Sequence, residues 1–185
     1  MLCRSGQRGF DEAFCYGAYE GTLRKLSHLF KYNGMRRLAQ PLGAWLADAL
    51  PRDRQFDLVT AVPLHWRRRW QRGFNQAELL VKAIGRARGI PAGNVLRRGS
   101  STRAQAGLSN AQRRENVSGA FRARRRVNGL RILLIDDVMT TGATAGACAR
   151  ALKKAGAKSV SLAALARVDR RFTEQADLGK RKGPV

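Results

Sequence analysis

The hydrophobic positions of this sequence fall into short continuous runs and longer stretches with helical spacing. The run from Arg131 to Ile135 is apolar after its first residue, as expected of a strand buried on both faces, and the sequence turns polar directly after it. Further β-rich runs lie at 57–62, 96–98 and 159–166. Strands that alternate with helical stretches predict an α/β fold with a mostly parallel central sheet flanked by helices.

Apolar residues recur at helical spacing between these runs. They predict a helix that ends near Gly34 after an irregular start at Phe10, and further helices at 36–50, 77–89 and 145–155. Residues 1–50 are therefore interpreted as an N-terminal helical segment, 51–168 as the core and 169–185 as a basic, disordered tail. A polar stretch rich in Gly and Ser within 97–126 has no core pattern, which predicts a lid.

Two carboxylates and a hydroxyl-rich turn follow the Arg131–Ile135 run. Asp136 and Asp137 come first, and the chain then reaches its next helix through Thr140, Thr141, Gly142, Ala143 and Thr144. Hydroxyls and unhindered backbone N–H groups before a helix suit a phosphate, whereas the carboxylates repel phosphate and suit hydroxyl donors such as those of ribose. Because α/β proteins bind ligands at the carboxyl ends of parallel strands, the stretch predicts a site for a ribose 5-phosphate.

Other interpretations of this stretch can be compared with the residues. An ordinary strand-to-helix turn with a capping threonine stays open as an alternative. A Walker A loop needs Gly-Lys-Ser or Gly-Lys-Thr after a strand, and the sequence contains neither tripeptide. A haloacid-dehalogenase-type site needs Asp-x-Asp, whereas position 138 is valine. The residues exclude both of these phosphate-binding motifs.

Composition narrows the class of protein. With 185 residues, of which 44% are hydrophobic, the chain is long enough for one domain with a sizeable core, and no apolar run predicts membrane insertion. The first residues lack the apolar region of a signal peptide, which predicts a cytoplasmic protein. Cys3, Cys15 and Cys148 have unrelated spacings and predict reduced thiols rather than disulfides.

The charge is strongly basic. A net charge of +23, from 36 Lys and Arg against 13 Asp and Glu, predicts affinity for polyanions. The segment from Arg97 to Arg131 contains ten arginines and one acid, and a second basic cluster at 67–72 lies beside Trp66 and Trp70. Such clusters suit the phosphates and stacked bases of single-stranded DNA or RNA. Arginine bias from a GC-rich genome explains the total charge as well, and a solvated helix start with two half-buried tryptophans explains the second cluster.

Several motifs resemble known families. The string Ile-Asp-Asp-Val-Met-Thr-Thr-Gly-Ala-Thr at 135–144 resembles the phosphoribosyl pyrophosphate (PRPP) binding motif of type I phosphoribosyltransferases. Taken with other segments, it resembles the ComF family, whose phosphoribosyltransferase-like members are linked to DNA uptake in natural competence. These segments are Val62-Pro63-Leu64-His65, Arg72-Gly73-Phe74-Asn75-Gln76, Arg97 with Thr102, Gln105 and Leu108, Arg113 with Asn116, and Gly119-Ala120-Phe121. The resemblance covers about residues 10–168 and implies a type I phosphoribosyltransferase-like fold with a lid or hood subregion.

The resemblance also implies a reaction. PRPP would bind with Mg²⁺, which would be held through PRPP rather than at a metal site of protein residues, and its phosphoribosyl group would pass to a nitrogenous acceptor. Asp136 and Asp137 would orient the ribose hydroxyls, and residues 140–144 would hold the 5′-phosphate. The remaining contacts implied are Val62, Pro63, Leu64 and Arg72 with pyrophosphate, and Arg103 and Gln105 in the closing lid.

Two functions therefore stay open. The first is transfer of the phosphoribosyl group to an acceptor that the sequence does not identify. The second is a single-stranded nucleic-acid-binding protein of DNA uptake, with a competence helicase as partner, that keeps the PRPP site for sensing or for a nucleotide 5′-phosphate. ComF proteins usually begin with a four-cysteine zinc knuckle, and only Cys3 stands where its last ligand would fall, so we expect no zinc.

Overall fold

The computed structural model describes residues 2–3, 9–32, 34–64, 70–99 and 120–168. The strands are β1 (Leu2–Cys3), β2 (Glu12–Ala18), β3 (Leu58–Ala61), β4 (Leu96–Arg98), β5 (Phe121–Ala123), β6 (Arg131–Met139) and β7 (Ser159–Arg167). The helices are α1 (Gly21–Tyr32), α2 (Ala39–Asp48), α3 (Gln76–Arg88) and α4 (Ala143–Lys154), with a 3₁₀ turn at Arg36–Leu38. None of the helices in the described ranges is long and apolar enough to cross a membrane.

Five strands form the central sheet in the order β1-β2-β7-β6-β3. All neighbouring pairs are parallel except β1 with β2, which confirms the predicted mostly parallel sheet. A bidentate ion pair fixes the start of β6 against the residue before β3, with Arg131 Nη2 at 2.7 Å from Asp57 Oδ1. The same guanidinium and the Arg131 N–H hold the pKa of Asp57 well below its usual range.

The core lies on both faces of β6, because successive side chains of a strand point to opposite faces. Ile132 and Leu134 pack with the apolar residues of α4, whereas Leu133 and Ile135 pack with those of α2 and α3. All four side chains are completely buried, and each such burial contributes about 1.5–3 kcal/mol to folding. The continuous apolar run at 131–135 therefore reflects a strand covered on both sides, as predicted.

The β6 strand is longer than the sequence predicts. Pairing with β3 ends at Ala61 opposite Ile135, but pairing with β7 continues to Met139 opposite Arg167. The predicted end of the strand after Ile135 is therefore wrong. Polar residues are tolerated in this extension because β6 has lost its neighbour on the β3 side, which opens a cavity there.

The N-terminal segment contributes a strand as well as helices. The irregular start predicted from Phe10 is wrong, because Glu12–Ala18 forms β2 and pairs in parallel with β7. The short buried run at 13–15 is followed by an exposed Tyr16 and then by Gly17, so it has neither the alternation nor the length of a clear strand signal. The long-range pairing with β7, rather than the local pattern, decides its conformation.

Two further elements differ from the sequence-based expectation. The strand predicted at 96–98 is β4, but it lies outside the central sheet and pairs with β5 in a separate two-stranded antiparallel sheet. The helix predicted at 36–50 is a 3₁₀ turn followed by α2, and Pro41 lies in the first turn of α2, where a proline is tolerated. The predicted helices at 77–89 and 145–155 correspond to α3 and α4. Most of the lid segment and the whole predicted tail lie outside the described residues.

Candidate functional site

A cavity of about 760 Å³ opens at the carboxyl ends of β3 and β6. It lies where β6 continues beyond its last pair with β3, in the position that open α/β sheets use for ligands. Two groups of residues line it, and we call them its walls. The first, which we call the β6–α4 wall, is formed by residues 136–145; the second, the assembled wall, is formed by Tyr19, Lys31, Val62, Pro63, Leu64, Gln71, Arg72, Asn75, Gln76 and Ala77.

The turn between β6 and α4 has the geometry of an anion site. Gly142 precedes α4 with φ 74°, in the left-handed region that favours glycine, and its carbonyl accepts from the Gly146 N–H at 2.8 Å. Thr141 Oγ1 accepts from the Ala143 N–H at 3.3 Å, and no acidic residue lies in the first turn of α4. Thr140, Thr141 and Ala143 are exposed to the cavity. Backbone N–H groups at such a helix start favour a phosphate.

The two carboxyl groups adjoin this turn. Asp136 Oδ1 accepts from the Asp137 N–H at 2.9 Å, and Asp137 Oδ1 accepts from the Val138 N–H at 2.7 Å. Burial, together with the nearby charge of Asp137, raises the pKa of Asp136 to about 7. At neutral pH the carboxyl group of Asp136 therefore gains or loses a proton readily, and it can accept or donate a hydrogen bond to a hydroxyl.

Lys31 reaches these carboxyls from the last turn of α1. Its Nζ lies 3.1 Å from Asp137 Oδ2, and the two side chains are only 15% and 17% exposed. The same ammonium lies 6.0 Å from the centre of the Tyr19 ring. No local pattern identified Lys31, because a lysine in the last turn of a helix is ordinary and its partner lies far along the chain.

The turn after β3 is held by a buried asparagine. Asn75 Nδ2 donates to the Val62 carbonyl at 3.2 Å, and Asn75 Oδ1 accepts from the Ala77 N–H at 3.1 Å as the N-cap of α3. A single side chain thus fixes both the start of α3 and the turn that carries Pro63 and Leu64.

Arg72 lies at the rim of the assembled wall. Its guanidinium donates to Gln76 Oε1 and to the Tyr32 hydroxyl, each at 3.3 Å, and lies 5.0 Å from the centre of the Tyr32 ring. Gln76 Nε2 in turn donates to the Phe30 carbonyl at 3.4 Å. These contacts hold a positive charge at the cavity, where an anion can meet it.

Comparisons with known proteins identify the family. The family model for the phosphoribosyl transferase domain matches residues 77–180, more than half of the chain. Competence protein F of Haemophilus influenzae is 35% identical over 176 residues, covering 89% of this chain and 76% of that protein. The chain belongs to the ComF family of phosphoribosyltransferase-like proteins.

Other comparisons agree with this family. DNA utilization protein YhgH of Salmonella typhi is 33% identical over 156 residues, covering 80% of this chain and 69% of that protein. The glutamine PRPP amidotransferase of B. subtilis, complexed with ADP and GMP, superposes with a TM-score of 0.54 at 22% identity, over 75% of this chain. That match shows the phosphoribosyltransferase fold. This chain spans only 30% of the amidotransferase chain, so the likeness does not extend to the whole enzyme.

The structure brings most of the predicted site residues of this ComF protein together. Thirteen positions were predicted, and the cavity is lined by those at 62–64, 72, 136–137 and 140–144. Arg103 and Gln105 lie outside the described residues. Sequence reasoning missed Lys31, Tyr19 and Arg98, which also line the cavity. Within the described part of the chain no three His, Cys, Asp or Glu side chains converge as metal ligands.

Proposed function

We propose that this protein binds PRPP with Mg²⁺ and transfers its phosphoribosyl group to a nitrogenous acceptor. The observation that carries the proposal is the juxtaposition, in one cavity, of a phosphate-binding turn with two carboxyl groups. A 5′-phosphate fits the first feature and ribose hydroxyls fit the second. The size of the cavity, about 760 Å³, is within the range of small-molecule sites.

Each part of PRPP has a matching part of the cavity. The 5′-phosphate would accept hydrogen bonds from the N–H groups and hydroxyls of the turn at 140–144. The ribose hydroxyls would meet Asp136 and Asp137. Pyrophosphate would lie against the turn at 62–64, near Arg72, whose position is fixed by Gln76 and Tyr32.

The reaction is a displacement at the anomeric carbon, through an oxocarbenium-like transition state. The bond from that carbon to the pyrophosphate oxygen breaks, the bond to the acceptor nitrogen forms, and pyrophosphate leaves with the bonding electron pair. Chemistry of this kind depends on positioning and on stabilisation of charge more than on a strong base. When it is bound through the ligand's own oxygens, Mg²⁺ supplies positive charge that offsets the charge of the leaving group.

The proposal is tested by calorimetry of PRPP and Mg²⁺ with the wild type and with Asp136→Asn and Asp137→Asn. Each carboxyl lies at the cavity rather than in the core, so both variants should fold and should bind PRPP about tenfold or more weakly. Replacement of an exposed aspartate, Asp53→Asn, is the matched control. Affinities unchanged from wild type in both cavity variants would contradict the proposal.

Turnover is tested separately. The protein is incubated with PRPP, Mg²⁺ and a panel of nitrogenous bases and amines, and pyrophosphate is measured. Release that depends on one acceptor would identify the reaction. Binding of PRPP without release for any acceptor would favour a sensing role.

A second function, binding of single-stranded nucleic acid, is favoured by the β4–β5 sheet. Its register puts Arg97 directly opposite Arg122, and Arg124 is two residues further along the same face. All three side chains are exposed. Like charges opposite each other disfavour strand pairing, and a bound polyanion would relieve their repulsion. Arg98, on the other face of the same sheet, lines the cavity, so the sheet as a whole adjoins it.

An exposed aromatic side chain directly precedes residues of the assembled wall in the sequence. Trp70 is 88% exposed, so the half-buried position that the sequence favoured for it is wrong, whereas Phe74 is buried. Trp70 adjoins Gln71 and Arg72, which line the cavity. Stacking of a base on an exposed ring contributes about 1–3 kcal/mol.

Nucleic-acid binding is tested by fluorescence anisotropy of a labelled oligonucleotide across a salt series. Changing Arg97, Arg122 and Arg124 to Gln should weaken binding about tenfold and reduce the log–log salt slope by about 2, since each phosphate contact on a single strand contributes roughly 0.7. The matched control changes the exposed Arg24, Arg37 and Arg86 to Gln. Equal losses in both triple variants would leave total charge as the explanation.

A further inference from the structure

Lys31 enters the cavity from an element that the phosphoribosyltransferase motif does not contain. It belongs to α1, more than a hundred residues before Asp136 and Asp137 in the sequence. Its ammonium is 3.1 Å from Asp137 Oδ2, and both side chains are largely withdrawn from solvent. An ion pair in such a place is stronger and less screened by salt than one on the surface.

The contacts of the two carboxyl groups are different. Asp137 already has one donor on each oxygen, the Val138 N–H on Oδ1 and Lys31 on Oδ2. Asp136 accepts one hydrogen bond, from the Asp137 N–H on Oδ1, and has no ion pair within the described residues. Asp137 is thus fixed in orientation by Lys31 and the backbone, whereas the hydrogen-bond partners of Asp136 within the described residues are groups of Asp137 alone, its N–H and its carboxyl.

The charged groups around Asp136 and Asp137 act on the two carboxyls in different directions. Burial raises the pKa of Asp136 most, and the charge of Asp137 raises it further, whereas the Asp137 N–H and the ammonium of Lys31 lower it. The other ionisable or charged side chains that line this cavity within the described residues are Tyr19, Arg72 and Arg98. The buried Cys148 thiol of α4 also faces Asp136: burial and the charge of Asp136 raise the pKa of this thiol, so it stays neutral in the range where Asp136 titrates. Lys31 therefore offsets one of the two negative charges that the site would otherwise bring together in a partly buried place.

We propose that Lys31 is a positioning residue of the phosphoribosyl site, whose ammonium holds the Asp137 carboxylate in place so that Asp136 engages the ligand's ribose hydroxyls. The inference rests on the proposed function for its ligand. It assigns Lys31 no contact with phosphate, because the phosphate-binding turn is formed by residues 140–144 and Lys31 is paired with Asp137.

The test compares two ligands by calorimetry, ribose 5-phosphate and inorganic phosphate. Lys31→Met should weaken binding of ribose 5-phosphate about tenfold and change binding of phosphate by less than about twofold, because only the first ligand uses the carboxyls. Lys31→Arg should restore most of the affinity, since it keeps the charge. Lys25→Met, an exposed lysine of the same helix, is the control. The double variant Lys31→Met with Asp137→Asn should bind no more weakly than either single variant, because the two residues act as one unit.

A measurement without ligand separates this inference from the proposed function. The ¹³C carboxyl resonance of Asp136 is followed against pH, and Lys31→Met should move its titration upwards from about 7, because a positive charge that lowers the pKa has been removed. Lys25→Met should leave it in place. If wild type fails to bind ribose 5-phosphate, the proposed function and the ligand role of Lys31 are both overturned. If wild type binds it but the titration is unmoved, or if Lys31→Met weakens phosphate binding equally, the positioning role alone is overturned.

Discussion

The two walls of the cavity are built in different ways. The β6–α4 wall consists of consecutive residues at the end of a strand that is paired on both sides and buried on both faces up to Ile135. The assembled wall draws on α1, on the turn after β3 and on the residues that lead into α3. A short motif therefore contains nearly all the chemistry of the first wall, whereas the second exists only when three segments have packed together.

The walls also differ in what holds them. Apolar packing of β6 and α4 positions the first wall, and few polar contacts are needed. The second depends on individual side-chain hydrogen bonds, above all those of Asn75 and Arg72. Substitutions should consequently affect stability on the assembled side and ligand binding on the β6–α4 side.

The largest effect is expected for Asn75→Ala. The substitution removes the N-cap of α3 and leaves the Val62 carbonyl without its buried donor, so the free energy of unfolding should fall by about 2–3 kcal/mol. Thr141→Ala is the matched change on the other wall, since Thr141 also accepts from a backbone N–H at a helix start but is exposed. It should cost less than about 1 kcal/mol. Urea denaturation of the two variants checks the comparison, which equal losses would contradict.

The β6–α4 wall could be predicted from the sequence, whereas most of the assembled wall could not. The run at 131–135 and the residues from Asp136 to Thr144 could be interpreted because strand, turn and helix start are local patterns. The role of Lys31 could not, because nothing near it in the sequence distinguishes a lysine that meets Asp137 from one that faces water. For the same reason β2 was missed, since its strand conformation depends on pairing with β7. The extension of β6 beyond Ile135 was missed because β7 continues to pair with polar residues, and in the sequence alone such residues mark the end of a strand.

A smaller effect with the opposite sign is expected for Asp136→Asn. The pKa of Asp136 is about 7 in the folded protein against an ordinary value of 3.8. Between these values the unfolded chain loses its proton while the folded protein keeps it, so this group lowers stability as pH rises from about 4 to 7 and adds no further change above 7. The variant removes this loss and should be more stable than wild type at pH 7.5 by about 1–2 kcal/mol, a figure reduced for partial exposure of the group.

The measurement is the difference in unfolding free energy between wild type and variant from pH 4 to 8. Asp57 does not change the unfolding free energy appreciably between pH 4 and 8. Its pKa is lowered in the folded protein, so the stability that it contributes is lost only at more acidic pH. The exposed Asp53→Asn should show no such difference across this range. If the difference in unfolding free energy between wild type and Asp136→Asn were the same at every pH, the pKa of Asp136 would not be raised by folding. Gain of stability with loss of PRPP binding would instead show that this wall favours binding at the expense of folding.

The smallest change in stability is expected for alanine substitutions at two glycines, and comparing them separates the effect of backbone strain from the effect on ligand binding. Gly142 and Gly129 have nearly the same φ, 74° and 73°, so an alanine at either position should cost about 1 kcal/mol through the left-handed conformation alone. Only Gly142 belongs to the phosphate-binding turn, whereas Gly129 lies in the turn before β6, where an added Cβ meets no neighbour.

Gly142→Ala should therefore weaken binding of inorganic phosphate about tenfold, because any shift that relieves the strained φ displaces the N–H groups at the start of α4. Gly129→Ala should change phosphate affinity by less than about twofold, although its loss of stability is the same. Thermal unfolding of both variants measures the loss of stability, and calorimetry with inorganic phosphate measures the change in affinity. If Gly129→Ala weakened phosphate binding as much as Gly142→Ala, the loss would come from general destabilisation, and the β6–α4 wall would owe its anion site to something other than the geometry of this turn.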